Sequence, residues 1–335
     1  MSGELADVML EALEHDLRQA VAHLPAGRTA ALREMLDYHL GWSTGTPAGR
    51  GKRIRPQLTL LACQAAGGDW TTALPAASAV ELIHNFSLVH DDIQDQSNAR
   101  RGRPTLWTLW GMPQAINAGD ALLVLARLAT QRLLARGVSA ADALEVQRLL
   151  DQACLELTQG QFLDLDFETR PAVPVADYLA MIEGKTAALL AAATACGAHL
   201  AGAGAARVQA FADYGRSLGL AFQILDDILG IWGATQDTGK PAGDDLRARK
   251  KSLPIVWGIE HAPAFADLWQ AGSVDDQSVG AMAGALEAEG ALQAARAAAE
   301  DHTQRALETL GRAALEPEAG AALRALTLQL LHRDR

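Results

Sequence analysis

Apolar positions along this chain recur at the three-to-four residue spacing of amphipathic helices, and the alternating runs typical of strands are absent. Glycine and proline interrupt the pattern, so the segments between them are predicted to be helices. Thr71 or Thr72 is the predicted cap of the helix that leads into the segment from Glu81, and Ser139 is the predicted cap of a later long helix. The predicted helices cover about 1–24, 29–42, 55–66, 72 onward, 113–136, 140–167, 175–199 and 206–231, with shorter ones to the C-terminus.

No linker or fixed-period repeat stands out. We therefore expect residues 1–335 to form one all-α domain, a helical bundle of ten or more helices. Hydrophobic residues make up 49% of the chain and charged residues 21%, which is typical of a globular protein. The net charge of -11 argues against a nucleic-acid-binding surface.

The cysteines and the apolar windows bear on where the protein works. Cys63, Cys154 and Cys196 are far apart and form no metal-binding or redox spacing, so a reduced cytoplasmic protein is expected. The N-terminus has no signal-peptide pattern. The most apolar window, 186–202, is alanine-rich and contains His199, so no transmembrane segment is expected.

Three carboxylates follow an apolar run in the segment ELIHNFSLVHDDIQDQSNARRGRPT, which starts at Glu81. If that run is helical, Asp91 and Asp95 lie one turn apart on the same face, with Asp92 beside them. Like charges at this spacing repel, and a hard divalent cation would offset the repulsion. A lone motif of this kind is more often a solvated acidic helix end, so the rest of the chain must decide.

A second pair, Asp226 and Asp227, lies in the equally apolar segment FQILDDIL. Two carboxylate pairs embedded among large apolar residues are hard to explain as solvated surface. Placed opposite each other in a bundle, they would line a cleft that is unstable without a cation. Oxygen ligands shared with water and substrate phosphates suit magnesium.

Basic residues occur in groups beside glycine or proline, where a backbone can approach a ligand closely. Each group alone is typical of a solvated loop. Together with two carboxylate pairs, they indicate a diphosphate site bridged by magnesium, because arginine forks and lysine charges suit phosphate oxygens. No P-loop or dinucleotide-binding motif is present. The groups are Lys52, Arg53 and Arg55; Arg100 and Arg101; Lys185; and Lys240, Lys250 and Lys251.

These residues resemble the motifs of the trans-isoprenyl diphosphate synthases, or polyprenyl synthetases. The similarity covers about 51–254 and includes, in order, GKRIRP, ELIH, LVHDDIQD, RRGRPT, GQFLD, GKTA, FQILDD and GKPAGDDL followed by KKSLP. It implies an all-α bundle of the isoprenoid synthase type around a central cavity, and a homodimer. It also implies three Mg²⁺ per active site, bound by Asp91, Asp95 and Asp226 with Asp92 and Asp227 in support.

The resemblance also assigns the substrate contacts. Thr186 and Gln223 would lie near the developing cation, Gln161 and Asp164 would support the diphosphate-binding side chains, and Lys250 would help to close the site. The loop around Lys240 is expected to stay mobile until a diphosphate binds. The allylic diphosphate would contact Arg100, Lys185 and Lys240, and isopentenyl diphosphate would contact Lys52, Arg55, His84 and Arg101.

The implied reaction joins isopentenyl diphosphate head-to-tail to an allylic diphosphate, giving a short-chain all-trans prenyl diphosphate. Phe86 lies five residues before Asp91, about 7.5 Å along a helix. In the family an aromatic residue there tends to form the floor of the product pocket, and the small Ser87 does not narrow it further. This combination favours geranylgeranyl diphosphate, with farnesyl diphosphate next, unless Phe86 is ordinary core packing.

One position departs from the family pattern. The second motif commonly ends in aspartate, whereas this chain has DDILG with Gly230 at that place. Asp226 is the most important metal ligand of that motif in the family, so activity is expected to survive, and the departure concerns the strength of metal binding on that wall. Two alternatives remain: a terpene cyclase of the same fold, or a non-catalytic subunit of a heteromeric synthase. The paired aspartates and the full basic set favour the synthase over both.

Overall fold

A computed structural model describes residues 2–24, 27–43, 51–233, 242–272, 274–313 and 315–331. Within these ranges the chain is almost entirely α-helical, which confirms the predicted fold class. The α-helices are α1 (Ser2–Val21), α2 (Ala30–His39), α3 (Ile54–Ala65), α4 (Leu74–Gln94), α5 (Leu106–Trp110), α6 (Met112–Gln131), α7 (Ala140–Thr169), α8 (Val175–Ile182), α9 (Ala188–Leu200), α10 (Ala205–Trp232), α11 (Asp244–Arg247), α12 (Leu253–His261), α13 (Pro263–Ala271), α14 (Asp276–Ala288), α15 (Ala291–Arg312) and α16 (Pro317–Leu331).

Short elements complete the described chain. Trp70–Ala73 and Leu134–Arg136 are 3₁₀ turns, and Glu183–Ala187 is a π-helical turn. Strands β1 (Ala99–Arg100) and β2 (Arg103–Pro104) pair antiparallel. This ribbon was not predicted, because strands of two residues are too short to show alternation.

The structure corrects one predicted cap and confirms another. Neither Thr71 nor Thr72 caps α4, whose N-cap is Ala73 and makes no side-chain capping bond. Asp69 instead caps the preceding 3₁₀ turn: its Oδ1 accepts from the Thr71 nitrogen at 2.9 Å. Ser139 does cap α7, since its hydroxyl accepts from the Asp142 nitrogen at 3.1 Å. Asp and Ser both serve in this role because a short polar side chain can reach the orphan N–H groups of a first turn.

The stretch Val175–Leu200 was predicted as one helix and is interrupted by the π turn at Glu183–Ala187. Among the described residues it is the one stretch long and apolar enough to cross a membrane by length and composition. However, 72% of its most apolar window is buried inside the protein, as in the core helices of globular proteins, which pass the same test.

Contacts divide the chain into two compact units. One comprises Met1–Asp151, Ala192–Gln209 and Ala314–Leu323, and the other Gln152–Ala191, Ala210–Ala313 and Arg324–Arg335. Each unit has its own buried core. The expectation of a single domain stays a prediction.

In the first unit α4 is the central element, packing against α1, α3 and α6. Its first half is fully buried, and the small side chains of Ala76, Ala77 and Ala79 let neighbouring helices approach closely. The helix then runs directly into the first aspartate motif. A helix whose first half is buried therefore carries Asp91 and Asp92 near its other end.

A buried ion-pair network holds the segment before α3 against α4. Arg53 is only 3% exposed and donates to Glu14 Oε1 at 2.8 Å, Glu81 Oε1 at 2.7 Å and the Leu40 carbonyl at 2.9 Å. Asn85 also donates to Glu81 Oε1, at 2.8 Å. Arg53 was grouped with the anion-binding cations, but its guanidinium is bound internally, and its left-handed backbone (φ 48°) turns the chain into α3.

The second unit buries two apolar clusters around α10. Ile224 and Ile228 lie one turn apart and bury one face of this helix, so Asp226, two residues from each, lies on another face. Ile231 belongs to the second cluster. Further members are Tyr178, Val256 and Ala295 in the first cluster, and Leu246, Phe265, Trp269, Met282 and Leu286 in the second.

Glu81→Gln should lower the free energy of unfolding by about 2 kcal/mol, because it removes one of the two carboxylates paired with the buried Arg53 and leaves Glu14 as its remaining ionic partner. Urea unfolding followed by circular dichroism measures the change. Glu145→Gln is the matched control: Glu145 pairs with Arg148 at 2.7 Å, but on the surface, so its loss should cost less than about 1 kcal/mol. Equal effects of the two substitutions would contradict the role given to the buried network.

Candidate active site

The first aspartate motif lies where α4 ends. The Asp95 nitrogen donates to the Asp91 carbonyl at 2.8 Å, so the two residues are one helical turn apart, as predicted. Asp91 is half-buried and Asp95 is exposed. This pair presents two carboxylates from one helix end.

Asp92 has a different environment. It is 2% exposed and accepts a hydrogen bond from Arg100 Nε at 2.8 Å. Burial raises the pKa of this carboxyl, and the positive charge of Arg100 opposes the rise. Asp92 therefore anchors Arg100 to α4, and its support of Mg²⁺ stays a prediction.

Arg101 lies in the tight turn between β1 and β2. Arg101 and Gly102 have φ values of 53° and 71°, the positive pair found in type I′ hairpin turns. Few side chains adopt this backbone, so the surrounding contacts must hold it. Tyr38 supplies them: its hydroxyl donates to the Pro104 carbonyl at 2.9 Å, and its own carbonyl accepts from Arg103 at 3.0 Å.

Four predicted substrate-binding residues line one cavity of about 560 Å³ in the first unit: Lys52, Arg55, His84 and Arg101. This volume falls within the range of small-ligand pockets. The sequence motifs that carry these residues are well separated along the chain, and α3, α4 and the hairpin bring them together. Gly51, Arg53, Ile54 and Glu81 complete the lining.

His84 is neutral in this cavity. Burial, and then the charges of Arg55 and Arg101, lower its pKa well below the ordinary value. Arg55 Nη1 is 3.3 Å from His84 Nε2, and because arginine can only donate, Nε2 is the acceptor. The cavity thus carries its positive charge on Lys52, Arg55 and Arg101, while Glu81 is neutralised by Arg53.

Gly51 leaves room for the Arg101 guanidinium. A Cβ added at Gly51 would lie 2.6 Å from Arg101 Nη2 and 2.7 Å from its Cζ, well inside van der Waals contact. Gly51 also has a φ of 72°, which favours glycine. The glycine of the GKRIRP motif therefore positions an arginine that lies 50 residues further along the chain.

In the second unit, Asp227 is the buried member of the second motif. It accepts hydrogen bonds from the Tyr178 hydroxyl, from Gln223 Nε2 at 3.1 Å and from the Leu253 nitrogen at 3.1 Å. Burial raises the pKa of Asp227 to about 6, and the charge of Lys250 opposes the rise. Asp227 therefore organises its surroundings, and the neighbouring Asp226 is half-buried on another face of α10.

The π turn places two further predicted residues. The Lys185 ammonium donates to Asp164 Oδ2, and Thr186 Oγ1 donates to Gln223 Oε1 at 2.8 Å. The resemblance named all four residues, and the structure brings them together in these two pairs. Gln161, on α7, is 7% exposed.

Two glycines make the π turn possible. A Cβ on Gly160 would lie 2.2 Å from the Lys185 nitrogen, and one on Gly184 would lie 2.7 Å from the Glu156 carbonyl oxygen. The backbones of α7 and the π turn therefore touch without intervening side chains. This close approach sets the distance at which Lys185 meets Asp164.

The remaining predicted residues differ in what the structure shows of them. Lys250 is exposed, and its charge acts on Asp227. Lys240 and the loop around it lie outside the described residues. Phe86 is half-buried on α4 and packs edge-on against His90, with ring centroids 4.9 Å apart. Ser87 is buried, and its hydroxyl donates to the His84 carbonyl at 2.9 Å.

Sequence reasoning missed Tyr178, which donates to Asp227. Tyr178 is almost fully buried on α8, and burial followed by the Asp227 charge raises the pKa of its hydroxyl well above the ordinary value. No local pattern marks this residue, because the contact depends on how α8 packs against α10.

The donor chemistry of both motifs suits a hard cation. Asp91, Asp95 and Asp226 offer carboxylate oxygens only, which Mg²⁺ prefers. In the part of the chain that the structure describes, no three His, Cys, Asp or Glu side chains form a group able to hold a metal by themselves. Mg²⁺ is usually bound through one or two carboxylates with waters and substrate phosphates, so the carboxylate pairs fit this mode of binding.

Comparison with known proteins gives the class of protein. Residues 32–288 match the family model described as polyprenyl synthetase. The chain is 42% identical over 315 residues to a (2E,6E)-farnesyl diphosphate synthase of Mycobacterium tuberculosis, covering 90% of this chain and 86% of that relative. It is 40% identical over 324 residues to a geranylgeranyl diphosphate synthase of the same organism, covering 94% and 91%.

A solved structure shares the whole fold. The polyprenyl synthase of Caulobacter crescentus, complexed with calcium and isoprenyl diphosphate, has a TM-score of 0.83 and 30% identity, covering 100% of this chain and 97% of that one. The fold and the relatives define an all-α prenyltransferase. The chain belongs to the polyprenyl synthetase family of trans-isoprenyl diphosphate synthases, which confirms the resemblance of its motifs.

If Arg101 contacts isopentenyl diphosphate as the motif resemblance implies, Gly51→Ala should weaken binding of that substrate, because its Cβ must displace the Arg101 guanidinium. Losing one charge-assisted contact of this kind costs about 1.5–3 kcal/mol, so we expect KM for isopentenyl diphosphate to rise roughly tenfold or more. Steady-state kinetics with each substrate varied in turn makes the measurement.

Gly102→Ala is the matched control for this substitution. Gly102 also has positive φ (71°), but no atom lies within 4 Å of a Cβ placed there. An equal rise in KM for both variants would show that backbone strain, and not displacement of Arg101, is responsible.

Proposed function

We propose that this protein is a magnesium-dependent short-chain prenyl diphosphate synthase. It condenses isopentenyl diphosphate head-to-tail with an allylic diphosphate to give an all-trans product, chiefly geranylgeranyl diphosphate and next farnesyl diphosphate. One observation carries the proposal: the carboxylates of α4 and the cationic cavity belong to one unit and are joined through Arg100 and Arg101. The relatives named for farnesyl and geranylgeranyl diphosphate support the short-chain assignment.

Isopentenyl diphosphate would bind in the cavity lined by Lys52, Arg55, His84 and Arg101. A diphosphate brings several negative charges, and Lys52, Arg55 and Arg101 supply the complement. Neutral His84 accepts from Arg55 and can donate its other ring N–H toward a phosphate oxygen. The low pKa of His84 means that this arrangement persists at neutral pH.

The allylic diphosphate would be bound by Arg100 and Lys185, with Lys240 as a further candidate. Each described cation already has a carboxylate partner, Asp92 for Arg100 and Asp164 for Lys185, which restricts its side chain before substrate arrives. Such pre-organisation lowers the ordering cost of binding. Lys250 and Gln161 are proposed to help close and support this site.

Asp91, Asp95 and Asp226 would hold Mg²⁺, three ions per active site by family resemblance. When bound, magnesium would supply Lewis-acid stabilisation of the diphosphate charge that grows as the allylic carbon–oxygen bond breaks. The Caulobacter relative was solved with calcium and isoprenyl diphosphate, which supports a divalent cation in this chain as well.

The carbocation needs oxygen lone pairs near it and no water that could trap it as an alcohol. Thr186 Oγ1 and Gln223 Oε1 are proposed to lie near it. Asp227 fixes the amide of Gln223 by accepting from Nε2, which leaves Oε1 directed to Thr186. The double bond of isopentenyl diphosphate then attacks the cation, and loss of a proton, to the departing diphosphate, completes the step.

A homodimer in the cytoplasm is proposed on the family pattern. Supporting the dimer, large apolar side chains are exposed along α5, α6 and α7, and exposed apolar surface often marks a protein–protein interface. They are Leu109, Met112, Ile116, Val124, Leu144, Leu155 and Phe162.

Incubating the purified protein with isopentenyl diphosphate, each allylic primer and Mg²⁺ tests the proposal. Elongated prenyl diphosphates are expected, and their formation should stop on chelation of the metal. A cyclic hydrocarbon product would instead indicate a terpene cyclase. No elongation, with or without an added synthase partner, would contradict the proposed function. Light scattering on the same preparation gives the mass of the assembly.

Phe86→Ala should lengthen the product by one or more isoprene units, because the half-buried ring on α4 is proposed to close the apolar end of the pocket. Chromatography of the products measures chain length. Leu88→Ala is the control, since Leu88 is also half-buried on α4 but points about 200° away around the helix. An unchanged product from the Phe86 variant would show that this residue is core packing.

A further inference from the structure

Gly230 stands one helical turn after Asp226 on α10, at the place where the family motif commonly ends in aspartate. Residues at this spacing share a face, with about 5–6 Å between their Cβ positions. A carboxylate at position 230 would therefore lie beside Asp226. The sequence alone suggests that this chain has lost one carboxylate from that wall.

The structure places another carboxylate there. A Cβ built on Gly230 would lie 2.4 Å from Asp245 Oδ2, 2.6 Å from its Cγ and 3.0 Å from Oδ1. The first two distances are shorter than real Cβ contacts and the third is at their lower limit, so the carboxylate of Asp245 occupies the space that the first carbon of a side chain at 230 would take.

The segment that carries Asp245 is firmly held. α11 (Asp244–Arg247) begins after Gly243, which packs so closely on Val279 of α14 that a Cβ would lie 2.5 Å from it. Arg247 donates to the Ala242 carbonyl at 2.6 Å and to Asp276 at 2.8 Å. The Lys250 nitrogen donates to the Asp245 carbonyl at 2.9 Å.

Further along, Arg249 ties the same segment to α13. Its guanidinium lies 4.0 Å over the Trp269 ring and donates to the Trp269 carbonyl at 2.7 Å. Contacts with α13 and α14 thus fix both ends of the short helix. The backbone that carries Asp245 is therefore anchored on both sides of the residue.

We propose that Asp245 supplies the carboxylate that position 230 lacks, acting with Asp226 on the bound divalent cation, and that Gly230 is required because it leaves room for Asp245. The inference rests on the proposed function, since it concerns the cation of the same site. Two carboxylates beside each other, with waters and phosphate oxygens, match the way proteins bind Mg²⁺.

Metal affinity provides a test that does not depend on turnover. Mn²⁺ is titrated into each variant in the presence of one equivalent of inorganic pyrophosphate, and free Mn²⁺ is followed by electron paramagnetic resonance. Because pyrophosphate is the same in every sample, its own chelation cancels in the comparison. Asp245→Asn should raise the Mn²⁺ dissociation constant about tenfold, the loss typical for a residue that supports a metal site.

Gly230→Ala tests whether the space at position 230 is required, without removing the Asp245 carboxylate. It alters no charge, but its Cβ must push the Asp245 carboxylate away, so it too should weaken Mn²⁺ binding. Gly284→Ala is the matched control: this glycine lies inside α14, and no atom lies within 4 Å of an added Cβ. Wild-type Mn²⁺ affinity in either Asp245→Asn or Gly230→Ala would overturn the proposal, as would equal weakening in Gly284→Ala.

A double variant distinguishes loss of the carboxylate from misfolding as the cause of weaker Mn²⁺ binding. Gly230→Asp combined with Asp245→Gly moves the carboxylate from α11 to α10 and should recover most of the affinity lost in Asp245→Asn. Failure to recover in a variant that unfolds at the wild-type temperature would overturn the proposal. An inactive wild-type enzyme would contradict the proposed function, whereas these affinities judge Asp245 separately.

Discussion

The cationic cavity of the first unit depends on the ion pairs of Arg53 with Glu14 and Glu81. They bring α1 and α4 to the chain segment that enters α3, and they hold Arg53 in a left-handed backbone that an arginine rarely adopts alone. Lys52 and Arg55 flank this residue. Because the buried Arg53 fixes the backbone between them, Lys52 and Arg55 are directed into the cavity. The cavity keeps a net positive charge because Glu81 is ion-paired with Arg53.

In both aspartate motifs, the two adjacent aspartates differ in burial and in hydrogen bonding. Asp92 and Asp227 are each 2% exposed, and each is occupied with hydrogen bonds from its own unit. Asp91 and Asp226, next to them, are half-buried on another helix face. Adjacent aspartates on a helix point about 100° apart, so one can accept hydrogen bonds from the protein while the other faces a ligand. Asp92 and Asp227 therefore position their neighbours, while Asp91 and Asp226 remain the predicted ligands of the cation.

Much of this could be predicted from sequence, because helical spacing is local. The periodicity predicted the helices, the spacing put Asp91 and Asp95 on one face, and the motifs named the residues that meet in the cavity. The residues whose roles were predicted wrongly or missed are those whose roles depend on contacts between distant segments. Arg53 has the same local setting as Lys52, and only burial distinguishes it. Tyr178 shows no pattern, since its partner Asp227 reaches it through packing.

Glycine positions determine how closely the functional groups approach. Their role is hard to predict from sequence, because it depends on which distant group fills the space beside the glycine. Gly51 admits the Arg101 guanidinium, Gly160 and Gly184 let two backbones meet at the π turn, and Gly230 admits Asp245. In each case a single methyl group would come within 2.8 Å of its neighbour, a distance at which something must move. A glycine that replaces an expected aspartate is therefore not simply a lost ligand, because the space that it leaves can be filled by a carboxylate from elsewhere in the fold.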